Sequence, residues 1–346
     1  MKIALIGCAA ARLALTSLLT VGLLCSSPAA AAARDDVLTS QQRTQAIEDI
    51  ATAFEKIYVF PEVGDAVARD LRQRLQRGDY DKVAGSRQLA TLLSAHIDAI
   101  CHDAHTSIEY MEDDQLAERP TADPAVVKRR AEERRAKAAA ENFDFAEPRR
   151  LDGNIALIKF DGFYSADLVG PLVQKYMSDA ASADALIIDL RENGGGSPQI
   201  IALLASYLFD ETPVHLYDQI NRREGTHVQA WTDPHVPGKR FGSKKPVFVL
   251  TSAQTYSAAE NLAYTLQHVR GALVVGEKTR GGAHGSFGRP VSSHLVPIIG
   301  TSRTVNAVTK SDWDRTGVIP NSAAPAADAL DVAIGLARAA INAPKR

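Results

Sequence analysis

Three short stretches of the 346-residue chain hold residue types and spacings suited to bond-making chemistry. In "VFVLTSAQTYSAAENLAYTLQ", an apolar run breaks into polar residues and a helix pattern begins at Ser257. A serine there is a favoured helix N-cap. The same position sets its hydroxyl beside free N–H groups that stabilise negative charge, which is what a nucleophile needs. Position alone leaves cap and nucleophile both open, and no G-x-S-x-G surrounds the residue to mark an α/β-hydrolase elbow. In "LIIDLRENGGGSPQI", Asn193 precedes three successive glycines, Gly194, Gly195 and Gly196. Glycines in a row permit positive φ and close approach, and their N–H groups can hold an anion or a developing oxyanion. A phosphate loop is excluded because neither GxGxxG nor a following Gly-Lys-Ser/Thr is present. The third stretch, "CHDAH", spaces His102 and His105 as a helix would space metal ligands, but no third ligand is evident nearby, so no metal is expected.

The elements that must position these residues fall into two regions. Between residues 33 and 118, Ile47, Ile50, Ala51, Phe54 and Ile57 recur at helical spacing, and two further helix patterns begin near Pro61 and Ser86. This predicts a small N-terminal helical bundle. Residues 119–142 mix Arg, Lys, Glu and Ala with few large apolar side chains, which reads as a charged helical connector. From 143 to 346 the pattern changes: "NIALIKF", "ALIIDLR", "PVFVLTS" and "ALVVGEK" are β-branched apolar runs separated by helix patterns. Alternating strand and helix predict an α/β core with mostly parallel strands, whose chemistry sits in loops beyond the strand carboxyl ends.

Composition bounds the partners. The chain is 45% hydrophobic and 23% charged, an ordinary globular balance with room for two cores. Residues 1–32 carry Lys2, Arg12, the apolar run from Leu13 to Cys25 and small residues suited to cleavage, the pattern of a secretory signal peptide. The run is shorter than a membrane span, so export without a stable anchor is expected, to the periplasm or the exterior. Cleavage near Ala32 removes Lys2 and Arg12 from 39 basic and 41 acidic residues, moving the balance from −2 to −4. That weak acidity argues against nucleic acid as a partner. Cys101 alone remains of three cysteines, so no internal disulfide staples the fold.

Taken together, "DLRENGGGSPQIIALLASYLF", "PVFVLTSAQTYSAAENLAYTLQ" and "VVGEKTRGGAH" resemble the tail-specific, or C-terminal processing, serine protease superfamily. "ENFDFAEPRRLDGNIALIKFDGF" and "PVHLYDQINRREGTHVQAWT" are similar to the branch of the interphotoreceptor retinoid-binding protein modules and the tricorn protease core. The resemblance is dense from about 141 to 321. It implies a crotonase/ClpP-like β-α superhelical core, no cofactor, and a peptide or unfolded-protein substrate; no PDZ-like insertion is evident, and homo-oligomers remain compatible. It places Ser257 as nucleophile, with Ala258 and Gly195 or Gly196 as oxyanion donors. The lysine of the Ser-Lys members is replaced by Gly282, so a histidine base is implied: His105, from the D-x-H motif, with His284 as the rival. Asp314 is the orienting acid before "GVIPN", and Asp312 its substitute. Two other functions fit the same resemblance. One is a non-catalytic module binding apolar ligands such as retinoids or lipids. The other is thioester chemistry on a crotonase-like core, which an export signal disfavours.

Overall fold

The computed structural model describes residues 35–118 and 124–344, so the signal-peptide pattern lies outside the described residues. The first three helices are α1 (Ser40–Ile57), α2 (Pro61–Gln76) and α3 (Ser86–Cys101). Helix α1 starts at a capping box, in which Thr39 Oγ1 accepts the Gln42 N–H and Gln42 Oε1 accepts the Thr39 N–H. Its apolar stripe, Ala46, Ile47, Ile50, Ala51 and Phe54, is fully buried. That stripe meets Val67, Leu71, Leu89 and Leu93, and also Leu295 and Ile299 of a distant strand. The bundle core is therefore completed by the second half of the chain. Next come β1 (Ser107–Tyr110), α4 (Asp113–Glu118) and α5 (Pro124–Ala140), the last being the charged connector.

The core follows: β2 (Arg149–Leu151), β3 (Ile155–Lys159), α6 (Ala166–Ala180), β4 (Ala185–Asp189), α7 (Gln199–Ser206), β5 (His215–Asn221) and β6 (Thr226–Trp231). The chain continues through β7 (Val247–Thr251), α8 (Ala258–Thr265), β8 (Leu273–Gly276), β9 (His284–Gly288), β10 (Leu295–Asn306), β11 (Ser322–Ala323) and α9 (Ala329–Asn342). One six-stranded sheet runs β11-β8-β7-β4-β3-β2, parallel except where β2 turns back on β3. Strands β4 and β7 are buried at every position, as continuous apolar runs require when both faces are covered. Side chains of α6, α7 and α8 cover one face, while Ala329, Ala333 and Ala337 of α9 lie against Ile155, Ile187 and Phe248 on the other. The parallel α/β core is as the sequence implies.

A second sheet was not expected from periodicity. It is antiparallel, ordered β1-β10-β5-β6, with β9 also paired to β10. Strands β5 and β6 are rich in polar residues and mostly half-buried or exposed, so they carry no apolar run to announce them. Strand β1 belongs to this sheet and ties the helical region to the core through the Ser107–Ile298 to Tyr110–Leu295 register.

Candidate active site

Strands β4, β7 and β8 are neighbours, so the loops leaving their carboxyl ends lie side by side. The loop after β4 holds Asn193 to Gly196, that after β7 ends at Ser257, and that after β8 carries Gly281, Gly282 and His284. Ser257 adopts φ 54° and ψ −119° immediately before α8. A serine at positive φ is strained, and such strain persists only where surroundings enforce it. The turn thus has the sharp strand-to-helix character of a nucleophile elbow without its flanking glycines.

Two buried groups enforce the turn. Asn193, fully buried, donates Nδ2–H to Phe160 O (3.0 Å), and its carbonyl accepts the Tyr256 N–H (3.1 Å). Glu260, also fully buried, accepts from the N–H groups of Ser257 (2.8 Å), Gly281 (2.6 Å) and Gly282 (2.9 Å) and from the Thr279 hydroxyl. Burial pushes its carboxyl up from the ordinary value, and those four donors oppose the shift. The "SAAE" spacing is the S-x-x-E of a capping box, the one sequence signal that could have singled out Glu260.

The glycine loop meets Ser257 closely. A Cβ on Gly195 would stand 2.9 Å from Ser257 Cβ and 3.1 Å from the Ala258 nitrogen, and φ there is +102°. Gly195 therefore permits contact, but its N–H is already given to Asn193 Oδ1 (2.8 Å). Among the described residues, no protein acceptor takes the N–H of Gly196 or of Ala258. The N–H groups of Gly196 and Ala258 are thus left without a protein acceptor beside Ser257, while that of Gly195 is taken.

Both candidate histidines lie here, together with both acids. His284 gives Nδ1 to Asp103 Oδ2 at 2.8 Å, both side chains being almost fully buried, and its Nε2 has no partner. His284 and Ser257 line one cavity with Gly196, Ala258 and Gly282. Burial alone would lower the His284 pKa, but Asp103, Asp314 and Asp312 hold it above the ordinary value. Burial would likewise raise Asp103, and the hydrogen bond from His284 brings it below the ordinary carboxylate value.

His105 stacks on Tyr256 with ring centroids 4.8 Å apart, and neither ring nitrogen has a hydrogen-bond partner. Burial pushes its pKa down to about 4; His284 and Arg280 add to the fall, and Asp103 opposes it. Its backbone N–H donates to Asp103 Oδ1 at 2.8 Å, so one carboxylate fixes both histidine segments. Asp314 accepts the Ala283 N–H (3.2 Å) and lies 3.9 Å from His284 Nδ1. Asp312 turns its carboxylate back to the Asp314 N–H (2.9 Å) instead. One ligand atom each from Asp103, His105 and Asp314 falls within 4.8 Å of the others, a grouping able to hold a cation. Asp103 is already engaged there by His284 and by the His105 N–H. His102 caps α3 in the left-handed conformation, so His102 and His105 do not share a helical face.

Residues 154–323 match the model of peptidase family S41, and residues 28–142 match the N-terminal domain of peptidase S41 in eukaryotic IRBP. Together the two models account for most of the chain. The chain belongs to peptidase family S41. It is 31% identical over 132 residues to the tail-specific protease of Haemophilus influenzae, a stretch covering 37% of this chain and 17% of that relative. The match thus spans under a fifth of the curated relative's length. A crystal structure of a candidate peptidase from Parabacteroides merdae ATCC 43184 is similar at TM-score 0.58 and 17% identity, covering 87% of this chain and 97% of that one. The photosystem II D1 C-terminal processing protease is similar at 0.53 and 16%, covering 84% and 94%. At those identities the structures establish a shared fold.

Within an S41 chain, Gly282 has a physical reading. A methyl group there would fall deep inside contact with His105 Cε1 and Tyr256 Cε2, and 2.6 Å from Tyr256 Cζ. The space beside this backbone is filled by the His105–Tyr256 stack. Trp313 Nε1–H donates to Gly282 O (3.0 Å) and Glu260 accepts its N–H (2.9 Å), so the segment is held through both backbone groups.

Proposed function

We propose that this protein is an exported serine peptidase that cleaves peptide bonds through an acyl-enzyme on Ser257. The observation carrying the reading is the strained Ser257 turn with the unclaimed N–H groups of Gly196 and Ala258 beside it. Ser257 Oγ attacks the scissile carbonyl while its proton passes to His105. The carbonyl oxygen gains negative charge against the two N–H groups. His105 then returns the proton to the departing amine, and water repeats the cycle to release the acid. Burial keeps His105 neutral at neutral pH, the form able to accept a proton, and Asp314 lies within 4.8 Å to orient it.

A second reading of the base rests on one observation: His284 lines the Ser257 cavity and already has its acid, Asp103, at 2.8 Å. Labelling with a fluorophosphonate across pH separates the two. A base with the His105 value loses activity only as pH falls towards about 4, whereas the His284 pKa, raised above its ordinary value, puts that loss above about 6.5. His105→Asn and His284→Asn assign the limb to a residue. No labelling of the wild type, or equal labelling of Ser257→Ala, removes the peptidase reading.

A further inference from the structure

Two large cavities flank the helical region and the second sheet. One, of about 550 Å3, lies against α1 and gathers Lys56, Arg223 and Arg289, but shares no lining residue with the Ser257 cavity. The other, of about 490 Å3, shares Pro198 and Gln219 with it. The Ser257 cavity itself measures only about 120 Å3, so a peptide held there must extend into a neighbouring space.

The floor of the larger adjoining groove is one face of the β5–β6 hairpin. Three cross-strand pairs lie along it at period two: Tyr217 with Ala230, Gln219 with Val228, and Asn221 with Thr226. Pro198 and Ala202, at the start of α7, form the adjacent wall. Among the lining residues Glu224 alone carries a charge, and it is paired with Arg223 at 3.5 Å. Val228 stands 60% exposed on this floor, one of few large apolar side chains left uncovered. Tyr217 is held in place through its hydroxyl, which donates to Pro198 O (3.4 Å).

We propose that this hairpin face is the specificity subsite of the peptidase, taking an uncharged, apolar side chain of an extended peptide whose scissile bond lies at Ser257. Val228 and Ala230 supply the apolar floor, Gln219 stands at the junction with the nucleophile cavity, and acidic side chains are disfavoured because no unpaired cation lines the groove. This deepens the peptidase reading and rests on it.

The test uses the mature protein and fluorogenic peptides differing at one position: leucine, phenylalanine, lysine or glutamate. Values of kcat/KM are normalised to the fraction of Ser257 titrated by fluorophosphonate. The wild type is expected to favour leucine and phenylalanine over glutamate. Val228→Asp should lower kcat/KM for the apolar peptides about ten-fold or more relative to the lysine peptide, through KM. Ala230→Phe, which fills the groove, should penalise phenylalanine more than leucine. Unchanged selectivity in both variants, with Ser257 still titrated, overturns the subsite while leaving the peptidase intact. A wild type whose Ser257 is never titrated overturns both.

Discussion

Replacing Gly282 by alanine tests the arrangement at its tightest point. The backbone there needs no positive φ, so alanine brings a steric effect without a conformational one. Its methyl would sit 2.6 Å from Tyr256 Cζ and closer still to His105 Cε1. Ordinary carbon contact begins near 3.5 Å, so the stacked rings must shift by about 1 Å. Trp313 holds Gly282 O and Glu260 holds its N–H, so the stacked His105 and Tyr256 rings must give way rather than the backbone. Overpacking of this kind costs about 1–3 kcal/mol of stability. A displacement of about 1 Å in a base costs roughly 100-fold in rate. Gly282→Ala should therefore fold, melt a few degrees lower, and react with fluorophosphonate roughly 100-fold more slowly. Gly282→Lys should be no faster, because the lysine would enter occupied space. Wild-type labelling rates in Gly282→Ala would refute His105 as the base.

Other perturbations probe the support of the site. Glu260→Gln leaves an amide group facing N–H donors that now meet an oxygen, at roughly 1–3 kcal/mol for each orphaned group; a lower melting temperature and slower Ser257 labelling are expected, and neither changing would deny Glu260 its role. His105 predicts a pH effect on stability. Unfolded it binds its proton near 6.5 and folded only near about 4, so the unfolded state takes up more protons between these values, and stability falls as pH drops from 6.5 towards 4. The difference between these values corresponds to a ceiling of about 3–4 kcal/mol. Urea denaturation near pH 7 and near pH 4.5 should show that His105→Asn removes this acid loss; an equal loss in wild type and variant would contradict it.

The parallel core was legible because strands such as β4 run continuously apolar from Ala185 to Ile188, the pattern of a sheet covered on both faces. Strands β5 and β6 were illegible as elements because they are largely polar and mostly half-buried or exposed, with no apolar run to announce them. At the site, Ser257, His105, His284, Asp314 and the glycine loop were all named from sequence, and they share one neighbourhood. Sequence could not say which glycine N–H is free, because that turns on a hydrogen bond from Gly195 to Asn193. Nor could it show Asp103 as the acid nearest His284, since 181 positions separate them in the chain. Glu260 was hidden for another reason: a glutamate in a first helical turn ordinarily faces water, and only the incoming loop after β8 buries it.

Asp103 sits just beyond α3, while the imidazole it grips begins β9 and the serine stands between β7 and α8. The candidate site is thus assembled from segments far apart in sequence, and Leu295 and Ile299 of β10 close the core of the helices that lead to Asp103 and His105. On the proposed mechanism, competence is accordingly a property of the finished molecule. In that mechanism a partly unfolded copy in which β10 has not docked carries Ser257, but the helical segment bearing Asp103 and His105 is not held against it.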